Sequence, residues 1–418
     1  MKKIYAMSAL ALLLGATSAH AAGYQLNEFS ANGLGRSFAG LGVVGDDLSA
    51  LGYNPAGMTL VKYSGVQAGV ALTEIAAKAK SKYGTDKMDY FVPLPSLMGQ
   101  YNLNNKWFFG AGIYVPYGLS TKYKHDSNAA TKSAGGVRKS ELEVIDGNLS
   151  VAYRFDNGLS LGASGIIRRI KGQLTSNISE QLMPGRVYSD FNVKGWSHTY
   201  QLGAVYEFNE NSRIGLSYRA KSTQHTHGKH YISAGDPAYA EIYERMGLTG
   251  KFKSMSDPEL PASWILSGYH KFAPKWGTSF TVKYVQWHRF YVFPGKTSWP
   301  GLQLAGKKNL DVAYKWKDAW TFALGQEYYM NDNWTLRAGL AWDQTPTPSN
   351  TYRTNRIPDC DRIWASAGFS YMTGNHEFDF GYAHIFMMHG RVRNDSTDLQ
   401  AKYHNHSNMF AFQYQYKF

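Results

Sequence analysis

The last nine residues of the chain alternate aromatic and non-aromatic side chains up to the terminal Phe418. Because successive side chains of a strand point to opposite faces, five rings lie on one face and Ala, Gln, Gln and Lys on the other. A soluble sheet could bury the ring face. A chain that ends on such a strand is more typical of an outer-membrane barrel, whose closing strand turns its rings to lipid and its polar side chains to the lumen.

The opposite end of the chain predicts export. Lys2 and Lys3 precede an apolar stretch over residues 6–14, and Ala19-His20-Ala21 supplies the small residues of a cleavage site. This pattern predicts a secretory signal peptide over residues 1–21 and a mature chain that begins at Ala22. Beyond it no apolar run reaches the ~18 residues that a spanning helix requires.

Composition agrees with a barrel. Aromatic residues make up 15% of the chain, with 30 Tyr and 11 Trp, and the mean hydropathy is −0.39. Lumen residues offset lipid-facing ones in a barrel, and rings collect at both membrane interfaces. The formal net charge of +13 suits basic loops that face anionic lipopolysaccharide or anionic substrates, or a merely solvated surface. The single Cys360 excludes an internal disulfide and is interpreted as a tolerated loop thiol.

Alternating segments recur along the chain, separated by short turns that are often flanked by rings. The clearest segments cover residues 148–155, 202–208, 334–343, 363–371 and 378–386. Longer polar stretches cover residues 122–139, 175–197, 221–261 and 293–315. Short turns at one end and long loops at the other are the asymmetry of a bacterial outer-membrane barrel.

The segment before the first strand does not alternate. Residues 22–63 are rich in Gly, Ser and Ala. A segment of this length is either a flexible tail or a compact plug.

Motifs in this segment and in the C-terminal half form a recognisable set. In the N-terminal segment they cover residues 22–30, 33–36 and 46–47 and Asn54-Pro55-Ala56 with residues 57–58. In the C-terminal half they cover residues 316–320, 323–329, 333–339 and 358–362. Together these motifs resemble the FadL family of outer-membrane long-chain fatty acid transporters. The resemblance extends from Ala22 to Phe418 and is weak in the long polar stretches.

The resemblance implies an all-β fold, a transmembrane antiparallel barrel of 14 strands over residues 64–418, with an N-terminal hatch over residues 22–63 that plugs the lumen. It also implies that a hydrophobic ligand is captured at an outer groove and passes to a pocket near the hatch. The ligand then leaves sideways through a gap in the wall. Long-chain fatty acids are the expected cargo, and monoaromatic hydrocarbons are the alternative for the same fold.

One segment supports a sideways exit on physical grounds. Residues 107–119 form a strand pattern interrupted by Pro116, which has no N–H for the sheet ladder, while Gly112 and Gly118 permit a bend. The position resembles the kinked third strand of the family, where the lateral opening forms. The alternative is that Pro116 simply ends the strand at the rim.

The resemblance also assigns residues to the site. Tyr24 matches an aromatic residue that contacts ligand from the hatch. Asn54, Pro55 and Ala56 match a motif that relays ligand binding to hatch rearrangement, although a purely structural turn is the alternative. Asp343 matches a strand-end aspartate that contacts the hatch terminus, although an ion pair with Arg337 would also explain it.

A fatty carboxylate requires cationic donors at the mouth of its pocket, and the family supplies an Arg and a Lys. The candidates are Arg168, Arg169 or Lys171 in one strand and Lys315 or Lys317 in another. Arg168 has the parity of the lumen face, and Arg169 does not. If no cation points inward, a neutral hydrocarbon becomes the better substrate.

Other classes of function fit less well. The histidines at 225, 227 and 230 and at 404 and 406 lie in polar stretches without a supporting metal-ligand pattern, so solvated loop histidines are expected and no metal. We find no Gly-x-Ser-x-Gly motif of a lipase, and a general porin has no use for a Gly-rich plug. We therefore expect a non-enzyme without cofactors, in the outer membrane of a Gram-negative bacterium.

The expected partners are a hydrophobic small molecule, outer-membrane lipid with lipopolysaccharide, and the barrel assembly machinery, which would read the strand ending at Phe418. Nucleic acid is not expected, and the barrel is expected to be a monomer.

Overall fold

The computed structural model describes residues 23–124, 136–178, 180, 182–388, 390–394 and 399–418. The expected signal peptide, residues 1–21, and Ala22 lie outside the described residues. Among the described helices, none is long or apolar enough to cross a bilayer.

Fourteen antiparallel strands form a closed barrel, as expected. Each strand pairs with the next along the chain, and the last pairs with the first. The strands, here β1 to β14, are Gly65–Ser81, Gly84–Asn102, Trp107–Lys122, Val137–Arg154, Leu159–Asn177, Val187–Asn209, Ser212–Arg219, Ser263–Ala273, Trp276–Val285, Ala319–Tyr329, Trp334–Asp343, Arg362–Thr373, His376–Met387 and Leu399–Lys417.

The outer face of the barrel carries the apolar side chains. In β14, Phe412 is 50% exposed, and Phe418, directly after the strand, is 65% exposed, while Ala411, Gln413 and Gln415 are buried on the inner face. This is the alternation expected from the sequence. A soluble sheet that buries the ring face is excluded, because the rings lie on the outer surface.

The two ends of the barrel differ as the sequence predicts. Short connections such as residues 103–106 and 210–211 lie at the end that holds Phe418. At the other end the long polar stretches contain further strands and helices, listed here: Ser222–Thr223, His225–Ala234, Pro237–Arg245, Gly250–Ser256, Glu259–Leu260, Trp287–Arg289, Val292–Phe293, Lys296–Thr297, Gly301–Leu304, Val312–Ala313 and Gly390–Asn394.

The expectation that these stretches are loops is therefore wrong in part. β5 extends to Asn177, and His225–Ala234 pairs with β6 beyond the short strand β7. Above the lipid both faces of a strand meet water or polar groups, so the alternating pattern disappears although the backbone pairing continues. The sequence offers no periodicity from which such extensions could be predicted.

The segment before β1 is compact and lies inside the barrel. It contains the helices Ala31–Gly35 and Ala50–Tyr53 and the 3₁₀ helix Pro55–Leu60, and nearly every side chain from residue 23 to 61 is buried. The side chain of Ser30 caps the first helix by accepting a hydrogen bond from the N–H of Gly33. The alternative of a flexible tail is wrong.

Charged side chains join this segment to the wall. The guanidinium of Arg36 lies 2.7 Å from Glu327, and that carboxylate lies 3.2 Å from Arg337. Arg36 and Arg337 also both pair with Asp46. Removing one member of such a buried network leaves an uncompensated charge, which costs roughly 3–5 kcal/mol. The network therefore holds the segment firmly in the lumen.

Candidate ligand site and wall opening

The Asn54-Pro55-Ala56 turn lies directly against the barrel wall. The side chain of Asn54 accepts a hydrogen bond from the N–H of Ala56 and donates to the carbonyl of Ala204. A Cβ built on Gly203 would lie 1.9 Å from the Asn54 side chain, and one on Gly162 would lie 2.4 Å from the backbone of Ala56. Glycine in β5 and β6 is what allows this close approach.

Tyr24 lies in a cluster of aromatic rings. Its ring centroid is 4.8 Å from that of Trp287, 5.3 Å from Phe290 and 5.6 Å from Trp316. These partners belong to the segments that follow β9 and precede β10. A Cβ on the preceding Gly23 would meet the Trp287 ring at 2.7 Å. The ring of Tyr24 is thus packed among other aromatic rings.

A mostly apolar cavity adjoins Tyr24. The empty space between its lining residues is about 660 Å³ when the solvent space at its open mouth is included. Its apolar lining comes from β3 to β6 and from the loops above them: Tyr24, Leu119, Leu142, Ile170, Leu174, Phe191, Val193, Leu260, Phe290, Phe293, Tyr314 and Ile357. Such a lining accepts an acyl chain or an aromatic hydrocarbon.

Arg356 lies next to this cavity, beside its lining residue Ile357. Its guanidinium donates to Ser140 Oγ at 3.1 Å and to the carbonyl of Lys139 at 3.4 Å. Burial lowers the pKa of Arg356, and it has no carboxylate partner among the residues that the structure describes. A half-buried cation without a carboxylate partner, beside an apolar cavity, can receive a carboxylate. Sequence reasoning missed it, since it lies in a long loop.

Arg168 lies in the lumen, as its parity predicts, but it already has an anionic partner. Its Nε lies 2.7 Å from Asp146, which also pairs with Arg219 at 3.2 Å. The guanidinium of Arg168 lies 4.9 Å from the centroid of the Tyr117 ring, next to Tyr24. Two guanidinium groups share one carboxylate, so the cluster carries excess positive charge below the cavity.

The structure does not bring the other candidate cations to the cavity. Arg169 and Lys171 lie on the opposite face of β5 from Arg168. Lys315 has a backbone φ of 49° and places its Nζ 4.8 Å from the Tyr352 ring centroid. Lys317 is exposed.

Asp343 accepts a hydrogen bond from Thr321 Oγ1 at 2.7 Å and lies 3.4 Å from Arg362. Its expected partner, the hatch terminus at Ala22, lies outside the described residues, so that contact stays a prediction. The N–H of the next residue, Gly23, donates to Asp359 at 3.1 Å, and Asp359 also pairs with Arg362. Arg337 pairs with Glu327 and Asp46, so its expected ion pair with Asp343 is wrong.

β3 is distorted at Pro116. The strand continues through this residue to Lys122, and its register with β4 shifts between Tyr114 and Tyr117. The alternative that Pro116 ends the strand is therefore wrong, and the role of Pro116 in a lateral opening stays a prediction. Gly112 lies below the shift, where a Cβ would contact hatch residue Leu51 at 3.0 Å.

Above Ile113 the hatch replaces β2 as the neighbour of β3. The β2–β3 pairing ends at Leu97 and Ile113. Beyond it the carbonyl of Pro116 accepts a bond from Leu26, and the N–H of Gly118 donates to Tyr24, each at 2.8 Å.

β2 supplies the other edge of this opening. Its pairing with β1 is continuous, and the carbonyl of Lys87 accepts a bond from the N–H of Lys124 at 2.8 Å. Odd-numbered residues of β2 therefore turn their backbone groups to β3. Pro93 and Pro95 share this parity and have no N–H. The wall thus has a window, here the β2–β3 window, between the Leu97–Ile113 pair and the Lys87–Lys124 bond.

The histidines and the cysteine that invited other interpretations have ordinary surroundings. His230 is buried and bonds to Ser189 and Thr297, so the expectation that it is a solvated loop histidine is wrong; it lies in the strand His225–Ala234. His404 and His406 likewise lie in β14. Among the described residues no group of His, Cys, Asp and Glu could hold a metal ion. Burial raises the pKa of the Cys360 thiol to about 12.

Comparison with known proteins gives consistent results. Residues 12–418 match the family model described as outer membrane protein transport protein (OMPP1/FadL/TodX). A long-chain fatty acid transport protein of Escherichia coli O6:H1 is 32% identical over a gapped alignment 435 positions long, which covers 93% of this chain and 92% of the relative.

Two solved structures share the architecture. A Pseudomonas aeruginosa FadL homologue gives a TM-score of 0.86 at 22% identity and covers 95% of this chain and 100% of its own. The toluene transporter TodX of Pseudomonas putida gives 0.74 at 19% identity and covers 94% and 99%. At these identities the likeness is one of fold.

Proposed function

The chain belongs to the OMPP1/FadL/TodX family of outer membrane transport proteins, and from this premise we propose that it takes up long-chain fatty acids or similar hydrophobic molecules. It is a β-barrel of the outer membrane of Gram-negative bacteria. The proposal rests on one observation: the apolar cavity at Tyr24 and the β2–β3 window are joined by the same short piece of hatch.

The energetics favour this route. Each CH₂ kept out of water contributes roughly 0.8 kcal/mol, so an acyl chain that passes from the cavity directly into lipid avoids the cost of crossing a water-filled channel. Residues 24–26 lie between the cavity and the window, and their backbone bonds to Pro116 and Gly118 close the edge of β3. We infer that cargo displaces these residues and leaves sideways at Gly112, Pro116 and Gly118.

The proposed relay from cargo to the hatch turn has a direct contact path. Phe29 stacks on Tyr53 with ring centroids 4.2 Å apart, and the Tyr53 hydroxyl donates to the carbonyl of Asn27. Tyr53 immediately precedes Asn54. A ligand that moves residues 24–29 therefore acts on the rigid turn, whose Pro55 fixes the backbone φ.

Arg356 is our proposed donor to a fatty carboxylate. Its position beside the cavity and its lack of a carboxylate partner among the described residues support this assignment. We retain Arg168 as an electrostatic contributor, since it shares Asp146 with Arg219. A monoaromatic hydrocarbon would use the same cavity but would gain nothing from Arg356, so the two cargo classes differ in a measurable way.

Direct binding tests the proposal. The purified protein should bind oleate in preference to toluene, and Pro55→Ala should impair oleate uptake by cells while leaving the barrel folded. The difference in gel mobility between unheated and heated samples shows whether the barrel is folded. Preferential binding of toluene would assign the hydrocarbon alternative, and normal uptake by the Pro55 variant would remove the relay.

Three further expectations complete the proposal. We propose that the protein is not an enzyme, that it works as a monomer, and that the strand ending at Phe418 is read by the barrel assembly machinery. Exposed rings along the outer face of that strand are consistent with such recognition.

A further inference from the structure

Five basic side chains form a group on the outer face at the end of the barrel away from Phe418. This group, here the rim cation row, comprises Lys78, Lys80, Lys87, Arg391 and Lys402. They belong to β1, β2, β14 and the short strand Gly390–Asn394 that pairs with β14. All five are exposed.

The register of the strands places these charges directly against each other. Lys78 is opposite Lys87, and Lys80 is opposite Lys402. Lys402 is in turn opposite Arg391 on its other side. Directly opposed side chains have Cβ atoms roughly 5 Å apart, and like charges at that distance repel. The arrangement is unfavourable for the protein by itself.

Acidic side chains of the protein do not relieve this repulsion within the described residues. None of the five side chains has an ion pair or hydrogen bond there. The nearby Asp89 pairs with Lys124 at 3.2 Å. Another pair of opposed lysines on the outer face, Lys171 and Lys194, does have Glu143 directly opposite Lys171.

The row lies beyond the apolar band on the outer face of the barrel. Leu72, Phe91 and Phe410 are the last large apolar residues on the outer face of their strands before the rim. Lys87 is four residues beyond Phe91, and Lys80 and Lys402 are eight residues beyond Leu72 and Phe410, which is ~13 to ~26 Å of extended strand. The opposed charges therefore lie on the side of the apolar band where the outer leaflet of this membrane presents anionic groups.

We propose that the rim cation row binds the phosphate groups of a lipopolysaccharide molecule in the outer leaflet. A glycolipid fits both parts of this surface, with acyl chains against the apolar band of β14, β1 and β2 and phosphates between the opposed cations. The negative phosphates then pair with the five cations, and the repulsion between the opposed basic side chains is relieved on binding.

The test measures the affinity of bis-phosphorylated lipid A for the detergent-purified full chain. In the variant Lys80→Gln/Lys87→Gln/Lys402→Gln this affinity should fall at least about tenfold, because each substitution removes one cationic contact to phosphate. A matched control, Lys62→Gln/Lys106→Gln/Lys275→Gln, removes the same charge from exposed positions at the Phe418 end of the barrel. It should change the affinity less than twofold.

Two further arms distinguish phosphate recognition from general charge. Dephosphorylated lipid A should bind the wild type as weakly as the phosphorylated form binds the triple variant, and a Lys→Arg triple at the same positions should retain binding. Equal loss in the control, unchanged affinity in the rim variant, or equal binding of dephosphorylated lipid A would each overturn the proposal. Oleate binding should be normal throughout, so failure here leaves the transport function untouched.

Discussion

The two parts of the hatch are held in the barrel by different forces. The N-terminal segment, residues 23–29, contacts the wall mainly through backbone hydrogen bonds to β3 and the rings around Tyr24, with two side-chain hydrogen bonds, Gly23 N–H to Asp359 and Lys283 to Asn27. The hatch body, residues 30–61, is held by the buried ion pairs of Arg36 and by the close approach of Asn54 to Gly203. The contacts of the N-terminal segment resemble those that a bound ligand makes. The contacts of the hatch body resemble those inside a protein core.

The difference indicates which part can move. Apolar cargo can replace the ring contacts of the N-terminal segment at little net cost, because it offers the same kind of surface. Nothing in an acyl chain can replace the ion pairs of the hatch body, so displacing the body would leave buried charges unpaired. The plug is therefore expected to stay in place while its N-terminal end yields to cargo.

The largest effect is expected from disturbing the hatch body. Gly203→Val places methyl groups where Asn54 lies 1.9 Å from an ideal Cβ, so the body cannot seat against β6. Planar-bilayer recordings should then show a stable open pore, whereas the wild type should remain closed to ions. The control Gly165→Val has no atom within 4 Å of the new Cβ and should remain closed. A closed Gly203→Val barrel would contradict the anchoring assigned to the glycine contact.

A smaller effect is expected at the cavity. Arg356→Gln removes one charge-assisted hydrogen bond, worth roughly 1.5–3 kcal/mol, so oleate should bind about 10- to 100-fold more weakly. Titration calorimetry would measure this, with toluene binding unchanged. Arg356→Lys should recover part of the lost oleate affinity. The control Arg245→Gln, on the exposed helix Pro237–Arg245, should leave oleate affinity unchanged. Normal oleate affinity without the guanidinium would remove Arg356 from the site.

The window should respond to restored backbone donors. Pro93→Ala/Pro95→Ala returns two N–H groups to the edge of β2 that faces β3. If even one ladder bond forms, worth about 1 kcal/mol, oleate uptake should slow several-fold while oleate binding stays normal. Pro348→Ala, in an exposed loop, is the matched control. Unchanged uptake kinetics would argue against passage through the β2–β3 window.

The smallest effect concerns Glu28 in the N-terminal segment. Burial raises the pKa of its carboxyl from 4.5 to about 7, so the folded state disfavours the charged form. The resulting destabilisation is absent below about pH 4.5 and complete above about pH 7. The melting temperature of the wild type should therefore fall relative to Glu28→Gln between pH 5 and pH 8, by roughly 2 °C. Parallel melting profiles would show that Glu28 does not titrate in the folded protein.

Much of the barrel could be predicted from the sequence, because the lipid imposes a strict rule on each strand. The period of two at residues 410–418 assigns the outer face correctly, and Pro116 marks the distorted strand through its missing N–H. Arg168 was also placed in the lumen by parity alone. Wherever a residue's neighbours follow from strand alternation, the sequence is a sufficient guide.

The remainder depends on contacts between distant segments. Arg356 reaches Ser140, and Asp359 reaches Gly23, from a connection whose path no local pattern specifies. The partners of Asp343 and Arg337 could not be assigned for the same reason. Asp343 shares Arg362 with Asp359, and Arg337 shares Glu327 and Asp46 with Arg36. His230 was misread because extensions above the lipid lack alternation.

A reversible tether between the hatch body and the wall tests the central claim most directly. Ser37 Oγ and Ser366 Oγ lie 2.7 Å apart, so cysteines at these two positions, in a Cys360→Ala background, should form a disulfide under oxidising conditions. Oleate uptake by cells that carry the oxidised protein should equal uptake after reduction, because cargo leaves sideways past an anchored plug. Uptake that falls to the level of cells without the protein, and returns on reduction, would show that the plug itself must move out of the barrel.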